Sequence, residues 1–297
     1  MNVFRSVVLL AFALTIFASA HLASASEATY KLAYKCRPNE TIYSKVTHLV
    51  TVETKIRGTE EVARTRSIST KLWRVKSVAA DGKIVFEHLV DHVDMWQTAA
   101  GGKELKYNSD TDKLPPAGYE PVADSVGKVL ATITINPAGR IVSRENTQKH
   151  FNPGIGELTV PLPEGPARIG EEWFVPDEVQ LRLEDGAIKK VAVRQLYRLQ
   201  KVETGVATIV AETQVLTPID DPKLRSQLVQ RMQKGVIKFD LDAGRLISKQ
   251  MDLDESVLGF NGADSHMQYQ SRFTEEAITA AEVTARKKPA VEGPKAR

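Results

Sequence analysis

The stretch Gly235-Val-Ile-Lys-Phe-Asp-Leu-Asp-Ala-Gly-Arg-Leu-Ile-Ser-Lys249 has a shorter copy, Ala131-Thr-Ile-Thr-Ile-Asn-Pro-Ala-Gly-Arg-Ile-Val-Ser-Arg144, roughly a hundred residues earlier. In each copy an alternating apolar run (Ile133 and Ile135; Ile237, Phe239 and Leu241) meets a turn ending in Ala-Gly-Arg. An apolar pair, a serine and a basic residue then lead away. Period-two alternation on both sides of a glycine-containing turn is the signature of a β-hairpin. Asn136 to Gly139 suits a type I turn with proline second and glycine in the left-handed conformation, and Asp240 to Gly244 reads as the same turn lengthened by one residue. A hairpin used twice at this distance predicts two related halves. It constrains architecture and carries no chemistry.

The flanking pattern extends this reading. From Ile42 the even positions Ile42, Ser44, Val46, His48, Val50, Val52, Thr54 and Ile56 form a largely apolar face. A strand of that length spans ~50 Å, more than a compact sandwich uses and closer to the needs of a curved sheet. In the returning strand, Val62 to Val78, the apolar phase changes at Leu72-Trp73, which predicts a bulge. Lys83 to Trp96 is apolar on both faces and predicts a strand covered on both sides. Glu120-Pro121 opens a short helix with Val122, Val126 and Val129, and Asp220-Asp221-Pro222 opens another with Leu224, Leu228 and Met232. Leu196-Tyr-Arg-Leu199 matches Leu72-Trp-Arg-Val75. The expected fold is mainly β: two related antiparallel halves forming a curved sheet or half-barrel, each half with one short helix.

The domain organisation that follows is a signal peptide over 1–25, a first half over 27–150, a Pro/Gly-rich connection over 151–170, a second half over 171–275 and a disordered basic tail over 276–297. The signal rests on Arg5, the apolar run from Val7 to Phe17 and the small residues Ala18-Ser-Ala20 and Ala23-Ser-Ala25. No lipid-anchoring motif surrounds the single cysteine, Cys36, and no apolar run reaches membrane-spanning length. The expected address is therefore periplasmic or secreted. One cysteine excludes an internal disulfide, so the fold must hold by its core. With 40 Lys plus Arg against 37 Asp plus Glu, charge implies neither nucleic acid nor strong attachment to an anionic membrane.

Several polar groups invite a functional reading, and each has a plainer one. His88 and His92 would share a metal on a helix, but the strand period places them ~13 Å apart along one face. His48 reads as a sheet-face histidine and Cys36 as packing beside Tyr34, Leu32 and Tyr30. Asp240 and Asp242 serve as turn formers, Asp252 and Asp254 share a strand face, and Asn108, Asp110 and Asp112 lack the closing ligand of a calcium loop. Glu171 and Glu172 point to opposite faces of a strand. No nucleophile elbow, Ser-x-x-Lys set or phosphate loop occurs. The sequence thus nominates no catalytic, cofactor-binding or metal-binding residue.

Tyr30-Lys-Leu-Ala-Tyr-Lys-Cys-Arg-Pro-Asn-Glu-Thr41, Ser109-Asp-Thr-Asp112, Pro115-Pro-Ala-Gly118 and the doubled Gly-Arg hairpin resemble an uncharacterised family of secreted proteins common in planctomycete-type bacteria. That resemblance implies export and a duplicated β-rich domain, with no activity attached. The element order also resembles lipoprotein-carrier half-barrels, an analogy of architecture. The expected function is an exported, non-enzymatic binding module, a carrier of an apolar or lipidic ligand. Its partners would be an apolar small molecule or lipid, or an envelope protein, with no nucleic acid and at most peripheral membrane contact. An interaction scaffold with a solid core is the alternative, and an unrecognised hydrolase the third class.

Overall fold

The computed structural model describes residues 28–98, 102–147 and 158–287. The segment read as a signal peptide and the end of the expected basic tail lie outside the described residues. In chain order the elements are β1 (Thr29–Tyr30), β2 (Thr41–Ile56), β3 (Thr59–Val78), β4 (Ile84–Thr98), β5 (Glu104–Asn108), α1 (Glu120–Ser125), β6 (Val129–Ile135), β7 (Ile141–Asn146), β8 (Ala167–Arg168), β9 (Glu172–Arg182), β10 (Ile188–Glu203), β11 (Val206–Val215), α2 (Pro222–Val229), β12 (Lys234–Asp240), β13 (Arg245–Leu258), β14 (Ser265–Ile278) and α3 (Ala280–Lys287). All pairings of the large sheet are antiparallel, in the order β7-β6-β4-β3-β2-β14-β13-β12-β11-β10-β9, with β5 beside the far end of β4. The same succession occurs twice. Strands β7-β6-β4-β3-β2 match β13-β12-β11-β10-β9, and β14 joins them.

The two Ala-Gly-Arg hairpins share a register defect as well as a turn. In β6–β7 the shift falls between Thr134 and Ile135, and in β12–β13 between Lys238 and Phe239, the equivalent position. The Asn136 N–H donates to the Arg140 carbonyl around three residues, whereas Asp240 pairs with Arg245 around four, so the second turn is longer by one. Asp240 caps it by accepting from the N–H groups of Asp242 and Ala243.

The sheet is strongly curved. The ring of Tyr34 lies 6.1 Å from that of Trp73 on β3 and 5.3 Å from that of Phe239 on β12. Those strands are four positions apart in the sheet, which in a flat sheet would hold them roughly 19 Å apart. Both halves therefore fold their inner faces onto one core, in which Trp73, Phe86, Ile133 and Ile135 join Tyr197, Leu199, Ile209, Ile237 and Phe239. The N-terminal segment threads between them. Tyr34 N–H donates to Pro137 carbonyl and Lys35 N–H to Gly244 carbonyl, so adjacent residues of one segment bind the two hairpin turns. The Tyr34 hydroxyl accepts from Val160 N–H, tying in the connection between halves.

Both short helices lie on this same inner face. Val122 and Val126 of the α1 region pack against Val90 and Val93, while Leu224 and Leu228 of α2 pack against Leu181, Val191 and Val193. The α2 start follows its sequence: Asp221 accepts from Lys223 N–H and Pro222 occupies the first turn. Strand β4 has neighbours on both sides, with Leu89 buried and Val85 half-buried.

Two expectations need correction. The phase change at Leu72-Trp73 does not itself coincide with a bulge, since the pairing of β3 with β2 runs unbroken from Arg74 to Thr59; the bulge in β3 lies three residues on, at Lys76, against β4. Trp73 is buried in the main core and Leu72 is buried on the opposite, outer face, so burial on both sides produces the change. Two register shifts flank it in the pairing with β4: Thr70 pairs with His92 and Lys71 with Val90, leaving Asp91 of β4 over, and Val75 pairs with Phe86 and Ser77 with Val85, leaving Lys76 of β3 over. The tail placed from residue 276 also begins too early. Strand β14 continues to Ile278, and α3 is held to the outer face by Arg286, which donates to Thr70 Oγ1 at 2.5 Å and Asp91 Oδ2 at 2.9 Å. Those partners lie far away in sequence, which is why local composition hid them.

Candidate functional site

Beyond the main core, the inner face carries a buried polar layer at its centre. Lys71 Nζ lies 2.5 Å from Glu275 Oε1, with side chains only 2% and 5% exposed. Lys249 is directly opposite Glu275 in the β13–β14 register, is equally buried, and sets its ammonium 5.7 Å from the Phe273 ring centre. Lys71 and Lys249 thus both flank Glu275. Beside them is a cavity with about 30 Å³ of room for the centres of water-sized molecules, bordered among others by Ser44, Cys36, Thr159 and Arg245. Such a space holds one or two waters and no acyl chain. Arg245 is spoken for: its Nη1 is 2.9 Å from Glu40 Oε1. Burial, with Glu40 adding, pushes the Cys36 thiol up to about 11, so it is a neutral packing group.

His88 borders this layer from β4. Burial, reinforced by the charges of Lys71 and Arg144, drives its pKa down to about 3. In the unfolded chain an ordinary histidine takes up a proton near pH 6.5, whereas folded His88 does so only near 3. Its contribution to stability is therefore full above about pH 6.5 and is lost as the pH falls towards 3, by at most about 1.4 kcal/mol per pH unit. Urea midpoints at pH 7, 5 and 4 for the wild type and His88→Leu check this. The gap between the two proteins is expected to change steadily in favour of His88→Leu on acidification; parallel curves would refute it.

On the outer face an open trough of about 700 Å³ crosses β2, β3, β4 and β5. By register its outer-face residues are Leu49, Thr51, Arg64, Arg66, Asp94 and Trp96, with Lys106 beside them. Arg66 Nη2 holds both carboxylate oxygens of Asp94 at 3.1 Å, while Arg64 is exposed. A second hollow of about 380 Å³ continues from Leu49 and Thr51 to Asp252, Asp254, Gln270 and Arg272. The floor of the trough is apolar, and of the cations along it Arg66 is held by Asp94 and Lys106 Nζ lies 2.7 Å from Glu104 Oε2, which leaves Arg64 as the exposed one. No sequence motif marked it, because its residues are outward-facing members of four strands.

The groups singled out in the sequence do not converge. The extra residue Asp91 turns His88 inward and His92 outward, so they share no face, contrary to expectation. His92 Nδ1 lies 3.1 Å from Asp110 Oδ2, which also meets Arg286 Nε at 3.1 Å. Asn108 and Asp112 make turn contacts, with Asp112 accepting from Asn108 N–H and Asn108 from Asp110 N–H. Asp252 pairs with Arg272 at 2.5 Å and Asp254 accepts from Gln268 and Gln270. Glu171 accepts from Arg168 N–H, a turn contact. His48 packs on Phe273, 6.1 Å between rings. Among the described residues no three His, Cys, Asp or Glu side chains gather where they could hold a metal ion. Nor is any helix among them long and apolar enough to cross a membrane.

No family model matches the chain, and no curated protein does. The likeness to an uncharacterised secreted family therefore stays with the motifs quoted above. Among solved structures the chain is similar to one of lipid–protein interactions in lipovitellin (10% identity, TM-score 0.45), covering 82% of this chain and 26% of that one. It thus spans about a quarter of the lipovitellin chain's length. DynF from the dynemicin biosynthesis pathway of Micromonospora chersina matches at 7% identity and TM-score 0.22, covering 88% of this chain and 89% of that one. A DUF1329 family protein from Desulfovibrio piger matches at 12% identity and TM-score 0.17, over 80% and 86%.

Proposed function

We propose that the chain is an exported, non-enzymatic binding module, and that its ligand is an amphipathic molecule with an anionic group, seated in the outer trough. The observation that carries this reading is the trough itself: ligand-sized, floored by Leu49 and Trp96 and flanked by Arg64, Arg66 and Lys106. The space beneath α2 offers no comparable room, since Leu224, Leu228 and Val229 are 3%, 5% and 4% exposed against a packed sheet. A carrier that sequesters its ligand under the helices is thereby disfavoured. Export rests on the signal-like N-terminus alone.

Titration with a dansyl-labelled fatty acid tests the reading through energy transfer from Trp96. Transfer is expected in the wild type, lost in Trp96→Phe, and weakened about 10-fold at low salt in Arg64→Ala/Lys106→Ala. Leu228→Ala is expected to cost ~2 to 5 kcal/mol of stability and leave binding unchanged. Binding that ignores the trough variants, or that Leu228→Ala enhances, would place the ligand under the helices instead. An interaction scaffold is the second reading, favoured by edge strand β7, whose six residues are all exposed, Ile141 and Val142 among them.

A further inference from the structure

We infer that the trough ligand is bipolar: an elongated molecule lying across the strands, with its anionic group on Arg64 and an ammonium group on Asp254. The inference rests on the reading of the trough as the binding site and adds the chemistry of the ligand's far end. The two hollows share Leu49 and Thr51, so they form one groove over β4, β3, β2, β14 and β13. Two neighbouring rows of outward side chains cross it. In one row Arg66, Leu49, Arg272 and Asp252 stand side by side, and the charges are already matched, Arg66 by Asp94 and Arg272 by Asp252. In the other row stand Arg64, Thr51, Gln270 and Asp254. Here Arg64 and Asp254 are both exposed, and neither makes an ion pair among the described residues. Asp254 accepts from the side-chain amides of Gln268 and Gln270, neutral donors that leave its charge uncompensated and part of its acceptor capacity free. Three strand spacings separate these two ends, roughly 14 Å, which exceeds a Debye length of ~8 Å, so they do not neutralise each other. An extended chain advancing ~1.2 Å per bond bridges that gap with about twelve atoms. Leu49 and Trp96 lie alongside its path, which makes an apolar spacer the complement.

Competition against the dansyl-labelled fatty acid at low salt, read through energy transfer from Trp96, compares three chains that differ only at one end: 12-aminododecanoic, 12-hydroxydodecanoic and dodecanedioic acid. Relative to the hydroxy acid, the amino acid is expected to compete about threefold better and the diacid about threefold worse, the factor that an exposed ion pair contributes. Asp254→Asn should erase both differences while leaving the hydroxy acid unchanged. Arg64→Gln should weaken all three chains about threefold. Shortening the amino acid to six carbons should remove its advantage over the six-carbon hydroxy acid, because one molecule then cannot reach both ends of the row. Equal competition by the three chains, or a preference that survives Asp254→Asn, overturns the bipolar ligand; if Arg64→Gln still weakens binding, the trough reading stands. Failure of every chain to compete, or competition untouched by Arg64→Gln, overturns the trough reading and this inference with it.

Discussion

Glu275→Gln is expected to lower the unfolding free energy by about 3–5 kcal/mol, because it removes the carboxylate that pairs with the buried Lys71 ammonium and stands directly across from Lys249. Lys71→Met should cost less, about 1–3 kcal/mol, since Glu275 keeps Lys249 directly across the strand pair and the methionine fills the vacated stem. The asymmetry distinguishes a carboxylate shared by two cations from an isolated ion pair, whose two halves would be equally costly to remove. Denaturant unfolding of the two variants, compared at equal m-values, decides it. Equal losses would sink the shared-carboxylate account.

The second large effect belongs to the hairpin glycines. Gly139 and Gly244 both have positive φ, +76° and +63°. At Gly139 a Cβ would lie 2.5 Å from the Tyr34 ring and 2.8 Å from the Val160 carbonyl oxygen; at Gly244 it would lie 2.5 Å from Lys35 Cγ and 2.7 Å from the Ala33 carbonyl oxygen. Alanine at either position is expected to cost about 2–4 kcal/mol, a left-handed penalty of ~1 to 2 kcal/mol plus displacement of the N-terminal segment. Gly58 is the control. Its φ is +82° but a Cβ there would meet nothing within 4 Å, so Gly58→Ala should cost only the backbone share. If all three alanine variants lose the same amount, the close approach of the N-terminal segment contributes nothing.

The comparison of those glycines shows what the sequence can and cannot disclose. The turns, the extra residue in the second one, the acidic cap of α2 and the two-sided character of β4 were legible, because each is written in neighbouring residues. That both Ala-Gly-Arg turns flank one threaded segment was not, since Tyr34 and Lys35 reach partners more than a hundred and two hundred residues away. The same holds for the polar layer. Lys71, Lys249 and Glu275 each look like a surface charge on an alternating strand, and only the curvature that folds the halves together encloses them. At Leu72-Trp73 the period placed a bulge a few residues off: outer-face burial beside the α3-covered region produces the change there, while the bulges lie to either side, at Asp91 of β4 and Lys76 of β3.

Strand β14 belongs to neither copy of the repeated strand order, and this bears on the order in which the sheet is expected to form. Its pairing with β2, from Ser265 against Ile56 to Ile278 against Tyr43, bridges roughly two hundred residues of chain. Every other neighbouring pair in the two repeats is joined by local hairpins or short crossings, so each repeat can assemble early, while the seam waits for the last strand in chain order. Until then the long edge of β2 stands open and in register to accept any similar strand, including one from another copy. On contact order alone the β14–β2 seam is expected to be the slow step of folding, and the open edge of β2 the place where misassembly would begin.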